Sequence, residues 1–480
     1  MTIYAATVVD TPGDPFTGDP AAALAEDGAL LVRDGVIRAR GSLAKVTAAH
    51  PGEAVIRLDG GLLLPGFVDT HVHFPQIRAI GGLGLPLLDW LERYALPEEC
   101  KLADRAYARA VAGEFTDGLV ASGTTSALVF GSHFAPAMDE LFTAAGQRGL
   151  NITSGLVLSD RKLPPDLLHS PETALADSAD LILRWHDRGR LRYAVTPRFS
   201  LSTSDEMLDA CAQLLGKGVW FTSHINENLA EVATVADLFP GARHYLDTYC
   251  RHGLVTPRSV FAHNVHPGDA ELALLAEHGA SVAHCPTSNS ALGSGLFPLR
   301  RHVEHGIGVA LGSDVGAGTG LFLPKEALQA YFVQQLLGPA GLSLTPAHLL
   351  YLATRAGARA LGLGDRVGDL AVGKDFDAVW LRPADGSTLA VNLRHARDTS
   401  DALARIFALA TPADVAAVAY EALTAERPKL RYMVGRKAKM AVALRRWLPG
   451  NLFERIYFGE VMRRATRGRQ PGARSSAGVA

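Results

Sequence analysis

The order of apolar and polar positions divides the chain into segments that differ in hydrophobic periodicity. Up to about residue 60, runs of alternating apolar and polar side chains, such as IYAATVVD and GALLVRDGVIRARG, lie between turn residues. This pattern predicts short β-strands. From residue 61 to about residue 365, apolar runs such as WFTSHIN, SVFAHNV and GVALGSD alternate with helical stretches such as EALQAYFVQQLL. Strand–helix units repeated over this length predict a parallel α/β barrel.

The strand pattern returns after the predicted barrel. LGLGDRVGDLAVGKDFDAVWLRP reads as short strands and turns, so the N-terminal β-layer is expected to resume there. We therefore predict an α/β fold, a distorted TIM (β/α)8 barrel with a small β-sandwich domain and a C-terminal helical tail. The predicted boundaries are 1–60 and 366–411 for the two parts of the small β-domain, 61–365 for the barrel and 412–480 for the tail.

Composition narrows the class of protein. The 480 residues are 48% hydrophobic and 20% charged, which is ordinary for a globular protein with a sizeable core. The net charge of -2 gives no sign of nucleic-acid binding. Four scattered cysteines without a CxxC pair suit a reducing compartment. The sequence has no pattern of a signal peptide or a transmembrane helix, so we expect a cytoplasmic protein.

The end of the chain differs from the remainder in charge. From Arg427 to Ala480 there are 14 Lys and Arg against two Glu, a net charge of +12, so the other residues carry -14. Apolar side chains recur there at helical spacing, including Trp447, Leu448 and Phe453. Such a basic amphipathic helix could bind an anionic membrane surface. We favour a solvated basic face packed on the acidic remainder, so no membrane partner is expected.

The stretch PGFVDTHVHFPQ contains the first candidate chemistry. After a Pro-Gly turn, alternation predicts a strand that carries His71 and His73 on the same face, with their Cβ atoms roughly 6 to 7 Å apart. Two imidazoles so placed can hold one divalent ion. A solvated histidine pair, or two hydrogen-bonded core histidines, is the ordinary alternative, and the rest of the chain decides between them.

Further polar residues lie near the C-terminal ends of other predicted strands. In a parallel barrel these ends meet at one face, where such enzymes keep their sites. The residues are His224 and Glu227 in SHINEN, His263 and His266 in FAHNVH, His284 and Asn289 in AHCPTSN, and Asp314 in LGSD.

These residues suggest a metal-dependent hydrolase. The candidate ligands are three imidazoles and a carboxylate, namely His71, His73, His224 and Asp314. Nitrogen and oxygen donors suit zinc, and also iron or nickel. Glu227 stands where a proton shuttle would stand, and His263 is placed to hydrogen-bond the hydroxide or the substrate. We assign surface or supporting positions to the remaining histidines His266, His278, His302 and His305.

The chain resembles the amidohydrolase superfamily and, within it, the guanine deaminases. The resemblance covers about residues 60 to 330, and more weakly residues 1 to 411. HxH alone is a superfamily feature, whereas the Gln after HFP, the LLDWL block and TPRF are more specific. The motifs that carry it are PGFVDTHVHFPQ, LLDWLERYALPEE, GTTSALVFG, VTPRFSLS, SHINENLAEV, AHCPTSNSALGSGLFPL and LGSDVGAGTG.

The resemblance implies a role for each matching residue. Gln76 would hydrogen-bond the purine, and Arg198, with Phe199 beside it, would bind the guanine carbonyl. Glu227 would be the proton shuttle, and His263 would steady the attacking hydroxide. Asp314 would accept the proton of the water as well as bind the metal. The four matching ligands of one Zn²⁺ per subunit, with Fe²⁺ as the alternative ion, would be His71, His73, His224 and Asp314.

The implied reaction is the hydrolytic deamination of guanine to xanthine and ammonia by a zinc-bound hydroxide, in a homodimer. A related amidohydrolase acting on another purine, a pterin, a triazine or a cyclic amide would keep the ligands and change the substrate contacts. The cytidine-deaminase type of site is excluded, because Cys285 precedes Pro286 and has no partner cysteine.

Two features point to other classes of protein. Gly312, Gly316 and Gly318 have a spacing that also occurs in nucleotide-binding oxidoreductases, but a glycine-rich loop alone is weak evidence. Residues 412–460 resemble the C-terminal extension of short-chain dehydrogenases, without that family's catalytic residues. The tail therefore leaves open an inactive fusion, or a protein that binds a membrane surface.

Overall fold

A parallel barrel forms the centre of the protein. In the computed structural model, the described residues are 1–18, 24–216, 218–384, 387, 389 and 399–417. Their strands are β1 (Thr2–Asp10), β2 (Leu24–Arg33), β3 (Val36–Gly41), β4 (Ala54–Pro65), β5 (Phe67–His73), β6 (Thr124–Phe130), β7 (Asn151–Gly155), β8 (Val157–Leu158), β9 (Leu191–Pro197), β10 (Trp220–Ile225), β11 (Ser259–His263), β12 (Ser281–His284), β13 (Gly308–Leu311), β14 (Ala378–Leu381) and β15 (Val415–Ala417).

Helices follow most of the barrel strands. A π-helical turn at Leu91–Ala95 joins two short α-helices, Leu87–Trp90 and Leu96–Cys100. The α-helices are α1 (Leu43–Ala49), α2 (Leu87–Trp90), α3 (Leu96–Cys100), α4 (Arg105–Ala121), α5 (Ala135–Arg148), α6 (Pro171–Trp185), α7 (Asp205–Leu214), α8 (Leu229–Leu238), α9 (Asp247–Cys250), α10 (Asp269–Glu277), α11 (Pro286–Ala291), α12 (Leu299–Glu304), α13 (Leu323–Leu336), α14 (Pro346–Ala353), α15 (Arg355–Ala360) and α16 (Thr399–Leu409).

The barrel strands are parallel and nearly close on themselves. Their order is β5-β6-β7-β9-β10-β11-β12-β13, with β8 paired to β9. The two ends of this path meet, because Thr70 Oγ1 donates to Leu311 O at 2.9 Å and Asp314 N donates to His71 O at 2.8 Å. The prediction of a distorted (β/α)8 barrel is confirmed.

The sequence of these strands explains their position. In β5 and β6 every side chain is buried, because helices cover the outer face and side chains fill the inside. Helix ends follow ordinary capping rules. Asp104 accepts a hydrogen bond from Ala106 N at 2.8 Å at the start of α4. Gly149 ends α5 in the left-handed region at φ 64°.

The N-terminal and post-barrel segments form the small β-domain together, as predicted. Its strand order is β15-β14-β4-β1-β2-β3. Strand β14 pairs antiparallel with β4, so that Val379 opposes Leu64. Tyr4 and Phe376 stack in its core with ring centroids 4.7 Å apart. In the described residues this is one mixed six-stranded sheet, whereas the sequence had suggested a sandwich of two. The long strand β4 joins the early and late strands into a single layer.

The small sheet packs directly on the barrel. Thr125 Oγ1 donates to the buried Asp377 carboxylate at 2.9 Å, and a Cβ on Gly66 would lie 2.1 Å from Thr125 Oγ1. Strand β15 extends the sheet beyond residue 411, into the segment that the sequence assigned to the tail. The predictions for residues 418–480 lie outside the described residues. No helix in the described part of the chain is long and apolar enough to span a bilayer.

Candidate active site

The C-terminal ends of the barrel strands bring the predicted site residues together. Strand β5 carries His71 and His73, β10 carries His224, β11 ends at His263, and Asp314 follows β13. All five side chains are buried. They meet because parallel strands end at the same side of the barrel.

The four predicted metal ligands form the tightest part of this cluster. His73 Nε2 lies 3.2 Å from the Nε2 atoms of both His71 and His224. Asp314 Oδ1 lies 3.2 Å from His71 Nε2 and 3.3 Å from His73 Nε2. Donor atoms about 2.0–2.1 Å from one ion at tetrahedral angles stand about 3.3 Å apart. The four side chains therefore fit one small divalent cation.

His263 lies at the edge of the same cluster. Its donor atom falls within 4.8 Å of those of His71, His224 and Asp314. However, His263 Nε2 is 3.8 Å from Asp314 Oδ2, farther than the 3.2–3.3 Å contacts that His73 makes. His73 therefore makes the shorter contacts, while His263 belongs with His71, His224 and Asp314 to the group whose donor atoms all lie within 4.8 Å of one another.

The protonation of these groups also suits a cation. Burial lowers the pKa of His71, lowers that of His73 to about 3, and lowers that of His224 well below its usual value. Neutral imidazoles are the form that binds metals. Burial alone would raise the pKa of Asp314, but hydrogen bonds from His71 and His73 outweigh it, and the pKa is held well below its usual range.

A second histidine–carboxylate pair lies beside the ligands. His263 Nε2 is 3.4 Å from Glu227 Oε2, and Asn289 Oδ1 is 2.9 Å from His263 Nδ1. Ser294 Oγ donates to Glu227 Oε1 at 3.3 Å. Burial, followed by the charge of Asp314, raises the pKa of Glu227 well above its ordinary value. A raised pKa is the direction that a proton donor at neutral pH needs.

Two of these residues occupy a backbone conformation that costs energy. His263 has φ 73° and Asp314 has φ 47°, in the left-handed region that non-glycine residues rarely adopt. Each such residue costs of order 1–3 kcal/mol and persists only where its surroundings fix it. Here the hydrogen bond from Asp314 N to His71 O supplies one such constraint.

The predicted substrate residues adjoin the ligands. Gln76 Nε2 lies 3.3 Å from His73 Nδ1, and His224 Nδ1 lies 2.6 Å from Arg198 O. The second contact holds the His224 ring by its outer nitrogen and turns Nε2 towards the cluster. The ring of Phe199 is buried, with its centroid 6.1 Å from that of His224.

The sequence analysis missed two residues of this region. Glu99 accepts hydrogen bonds from both Gln76 and Arg198. Phe130, at the end of β6, places its ring 4.4 Å from that of His224 and 4.7 Å from that of His73. The position of Phe130 at a strand end was a usable signal. Glu99 was visible only as part of LLDWLERYALPEE.

The glycine-rich loop after β13 is explained by close packing around Asp314. A Cβ on Gly312 would lie 2.8 Å from His71 Cβ, and one on Gly316 would lie 2.3 Å from Gln76 O. On Gly318 it would lie 1.8 Å from Ser313 O. These glycines let the loop approach the site residues, which accounts for their spacing without a bound nucleotide.

The other histidines hold the surroundings of the site. His284 is buried with its ring stacked on Phe297 at 4.1 Å. His302 is also buried and contacts Asn264 Nδ2 at 2.9 Å. His266 is half-buried, with Nε2 2.6 Å from Ser294 O. His278 is exposed and His305 half-buried, so all five lie at surface or supporting positions.

Comparison with known proteins gives consistent matches. Residues 62–420 match the amidohydrolase family. A probable guanine deaminase of Deinococcus radiodurans is 61% identical over 422 residues, covering 86% of this chain and 96% of the relative. The structure of E. coli guanine deaminase has a TM-score of 0.83 at 35% identity, covering 86% of this chain and 97% of the other. Guanine deaminase from C. acetobutylicum, solved with guanine in its active site, has a TM-score of 0.79 at 29% identity, with the same two coverages.

Proposed function

Since this chain belongs to the guanine deaminase family of amidohydrolases, we propose that it hydrolyses guanine to xanthine and ammonia. The observation that supports this most directly is the direct contact between the candidate substrate residues and the candidate metal ligands. The Gln76 side chain contacts His73, and the main-chain carbonyl of Arg198 contacts His224. The relative with guanine bound supports the same substrate. The identity of 61% to a guanine deaminase favours guanine over the triazine and cyclic-amide alternatives.

The metal would be held by His71, His73, His224 and Asp314, whose donor spacing and neutral imidazoles fit a divalent cation. A cation bound there would act as a Lewis acid, which lowers the pKa of bound water to about 7. We propose zinc as this ion, with iron as the alternative, because nitrogen and oxygen donors select only weakly between them.

The remaining steps are assigned to side chains of this protein. Gln76 and Arg198 bind polar edges of guanine, and Phe199 borders the ring. Asp314 accepts a proton from the attacking water as that water adds to C2. Glu227 protonates the adjacent ring nitrogen and regains a proton from the new C2 hydroxyl as the carbonyl forms. The proton that Asp314 took from the water passes, with the help of Glu227, to the amino group, which leaves as ammonia. His263, 3.4 Å from Glu227, orients the water with a hydrogen bond. The homodimer and the cytoplasmic location remain predictions from the sequence.

The decisive experiment follows guanine and ammonia together. The purified chain is treated with a chelator and then reloaded with Zn²⁺ or Fe²⁺, and metal content is measured by mass spectrometry. Ultraviolet absorbance follows guanine becoming xanthine, while a coupled assay measures ammonia. We expect one ion per chain, and activity that is lost with the ion and returns on reloading. Metal-loaded protein that releases no ammonia from guanine would contradict the proposed substrate.

A further inference from the structure

One carboxylate, that of Glu99, joins Gln76 and Arg198, the two side chains proposed to bind the purine. We propose that Glu99 is a positioning residue that holds Gln76 and Arg198 in one rigid unit, and thereby sets the preference for purines with a carbonyl at C6. This inference rests on the proposed function, because it deepens the account of the same site. Glu99 itself is two contacts removed from the candidate metal ligands.

The contacts of Glu99 are short and fully buried. Arg198 Nη1 donates to Glu99 Oε1 at 2.9 Å and to Oε2 at 2.8 Å. Gln76 Nε2 donates to the same Oε1 at 2.7 Å. The Glu99 and Arg198 side chains are each only 3% exposed, so water does not compete for these bonds. Hydrogen bonds to charged groups in such a place are roughly twice as strong as neutral ones.

Glu99 determines which way the Gln76 amide points. The amide nitrogen faces the carboxylate, and the amide oxygen accepts a hydrogen bond from Gly316 N at 3.2 Å. Rotating the amide by half a turn would set its oxygen against the carboxylate and its NH₂ group against the Gly316 N–H. Both contacts would be lost, so Glu99 and Gly316 together favour the orientation with the amide nitrogen towards the carboxylate.

The same carboxylate fixes the Arg198 guanidinium. A guanidinium is planar, so anchoring Nη1 sets the direction of its other N–H groups. Among the residues that the structure describes, both hydrogen bonds made by this guanidinium use Nη1, which leaves Nε and Nη2 for a ligand carbonyl. Glu99 also balances a buried positive charge that would otherwise stand beside the candidate metal ligands.

The far side of Glu99 is closed by a histidine. His133 Nδ1 lies 3.4 Å from Glu99 Oε2, and the His133 ring stacks on His169 with an interplanar angle of 6°. Burial, followed by the charge of Arg198, lowers the pKa of His133 well below its usual value. His133 is therefore neutral and adds no charge, so the Glu99 carboxylate is balanced by Arg198 alone in this cluster.

The test compares Glu99→Gln with a matched change at the next residue, Glu98→Gln. Glu98 bonds Lys101 and Tyr107, away from the purine contacts. Steady-state kinetics are measured with guanine and with 2-aminopurine, which carries the same amino group but no carbonyl. For Glu99→Gln we expect KM for guanine to rise by about 10- to 100-fold, the range for loss of charged hydrogen bonds. kcat should fall less, and the kcat/KM ratio of guanine to 2-aminopurine should fall at least tenfold. Glu98→Gln should leave KM, kcat and this ratio unchanged.

A binding measurement separates failure of this inference from failure of the proposed function. Hypoxanthine has the carbonyl and no amino group, and purine has neither, so calorimetry with each reports carbonyl preference without turnover. Loss of that preference in Glu99→Gln supports the inference, even if wild type does not deaminate guanine. The inference is overturned if Glu99→Gln keeps the wild-type preference for hypoxanthine over purine. It is also overturned if the wild type has no such preference.

A double variant guards against misfolding. In Glu99→Gln/Arg198→Gln the buried charge is removed from both partners, and melting temperature is recorded for every protein. If Glu99 acts through Arg198, adding Glu99→Gln to Arg198→Gln should cost less than threefold further in hypoxanthine affinity. Full additivity of the two changes would overturn the claim that Glu99 acts through Arg198, and a fall in melting temperature with unchanged ligand preference would assign Glu99 a merely structural role.

Discussion

Glu227 is the candidate proton donor of the site. Its carboxyl is buried between His263 and Ser294, at 3.4 and 3.3 Å, and burial raises its pKa well above the usual value. It is not one of the four closely spaced donor groups. Its removal as an acid should therefore leave the metal in place and stop the proton transfers.

The variant Glu227→Gln tests this separation. Glutamine keeps the shape and can still contact Ser294, but it cannot deliver a proton. We expect kcat for guanine to fall by about 10²- to 10⁴-fold, with metal content per chain unchanged by mass spectrometry. A variant that keeps most of its activity would remove Glu227 from the mechanism, and one that loses its metal would make it a ligand.

Glu326 links pH to stability away from the ligands. It is fully buried in the first turn of α13, and both of its oxygens accept hydrogen bonds from Thr287 in α11, at 2.9 and 2.7 Å. Burial raises its pKa to about 8 from 4.5, although the Thr287 bonds oppose this. The stability tied to the protonated acid is complete below about pH 4.5 and is lost as pH rises through about 8.

Glu326→Gln should therefore flatten the dependence of stability on pH. Each pKa unit corresponds to about 1.4 kcal/mol, so the free energy of unfolding of wild type should fall by a few kcal/mol between pH 5 and pH 9 through this group. The amide does not ionise, so the free energy of unfolding of the variant should rise relative to that of wild type as pH rises. Urea unfolding at both pH values measures this, with exposed Glu277→Gln as control. Parallel pH profiles of wild type and Glu326→Gln would contradict the assignment.

At the scale of elements, close backbone packing fixes where the strands lie. A Cβ on Gly155, at the end of β7, would stand 1.7 Å from Ala194 O in the paired strand β9. A Cβ on Gly113, inside α4, would meet nothing within 4 Å. The same substitution should therefore act in opposite directions in these two elements.

Gly155→Ala should destabilise the barrel by about 1–3 kcal/mol or more, since backbone must move. Gly113→Ala should stabilise the protein by about 0.5–1 kcal/mol, because alanine favours a helix interior. Thermal unfolding of both variants against wild type measures the two effects. A neutral Gly155→Ala would mean that β7 and β9 do not approach as closely as described.

Elements also explain what the sequence could and could not predict. Strand runs ending in polar residues predicted the barrel and the meeting of His71, His224 and Asp314, because parallel strands share one end. Glu99 was not predicted as a site residue, because it lies on the short helix α3 and not at the end of a strand. Its partner Arg198 is 99 positions away in the sequence. The single sheet was not predicted, because the local sequence does not show that β4 pairs with both β1 and β14.

At the scale of the whole molecule, the basic charge is concentrated in a segment that lies beyond the described fold. Every predicted site residue lies between 71 and 314, and the last strand of the described residues, β15, ends at Ala417. Residues 418–480 carry 14 Lys and Arg against four Glu, a net charge of +10, so the remainder carries -12. The described barrel and small sheet thus contain the candidate site without this basic segment.

We therefore expect a chain that ends at residue 417 to keep the candidate site. We expect the truncation to change the free energy of unfolding by no more than about 1 kcal/mol. In a large domain that change moves the melting temperature by only a few degrees. The kcat/KM of the truncated chain for guanine should change less than twofold. Ion-exchange elution should shift towards a more acidic protein, which confirms that the basic segment is gone. A large fall in both melting temperature and activity would instead show that residues beyond 417 complete the fold, so the tail could not be an appendage.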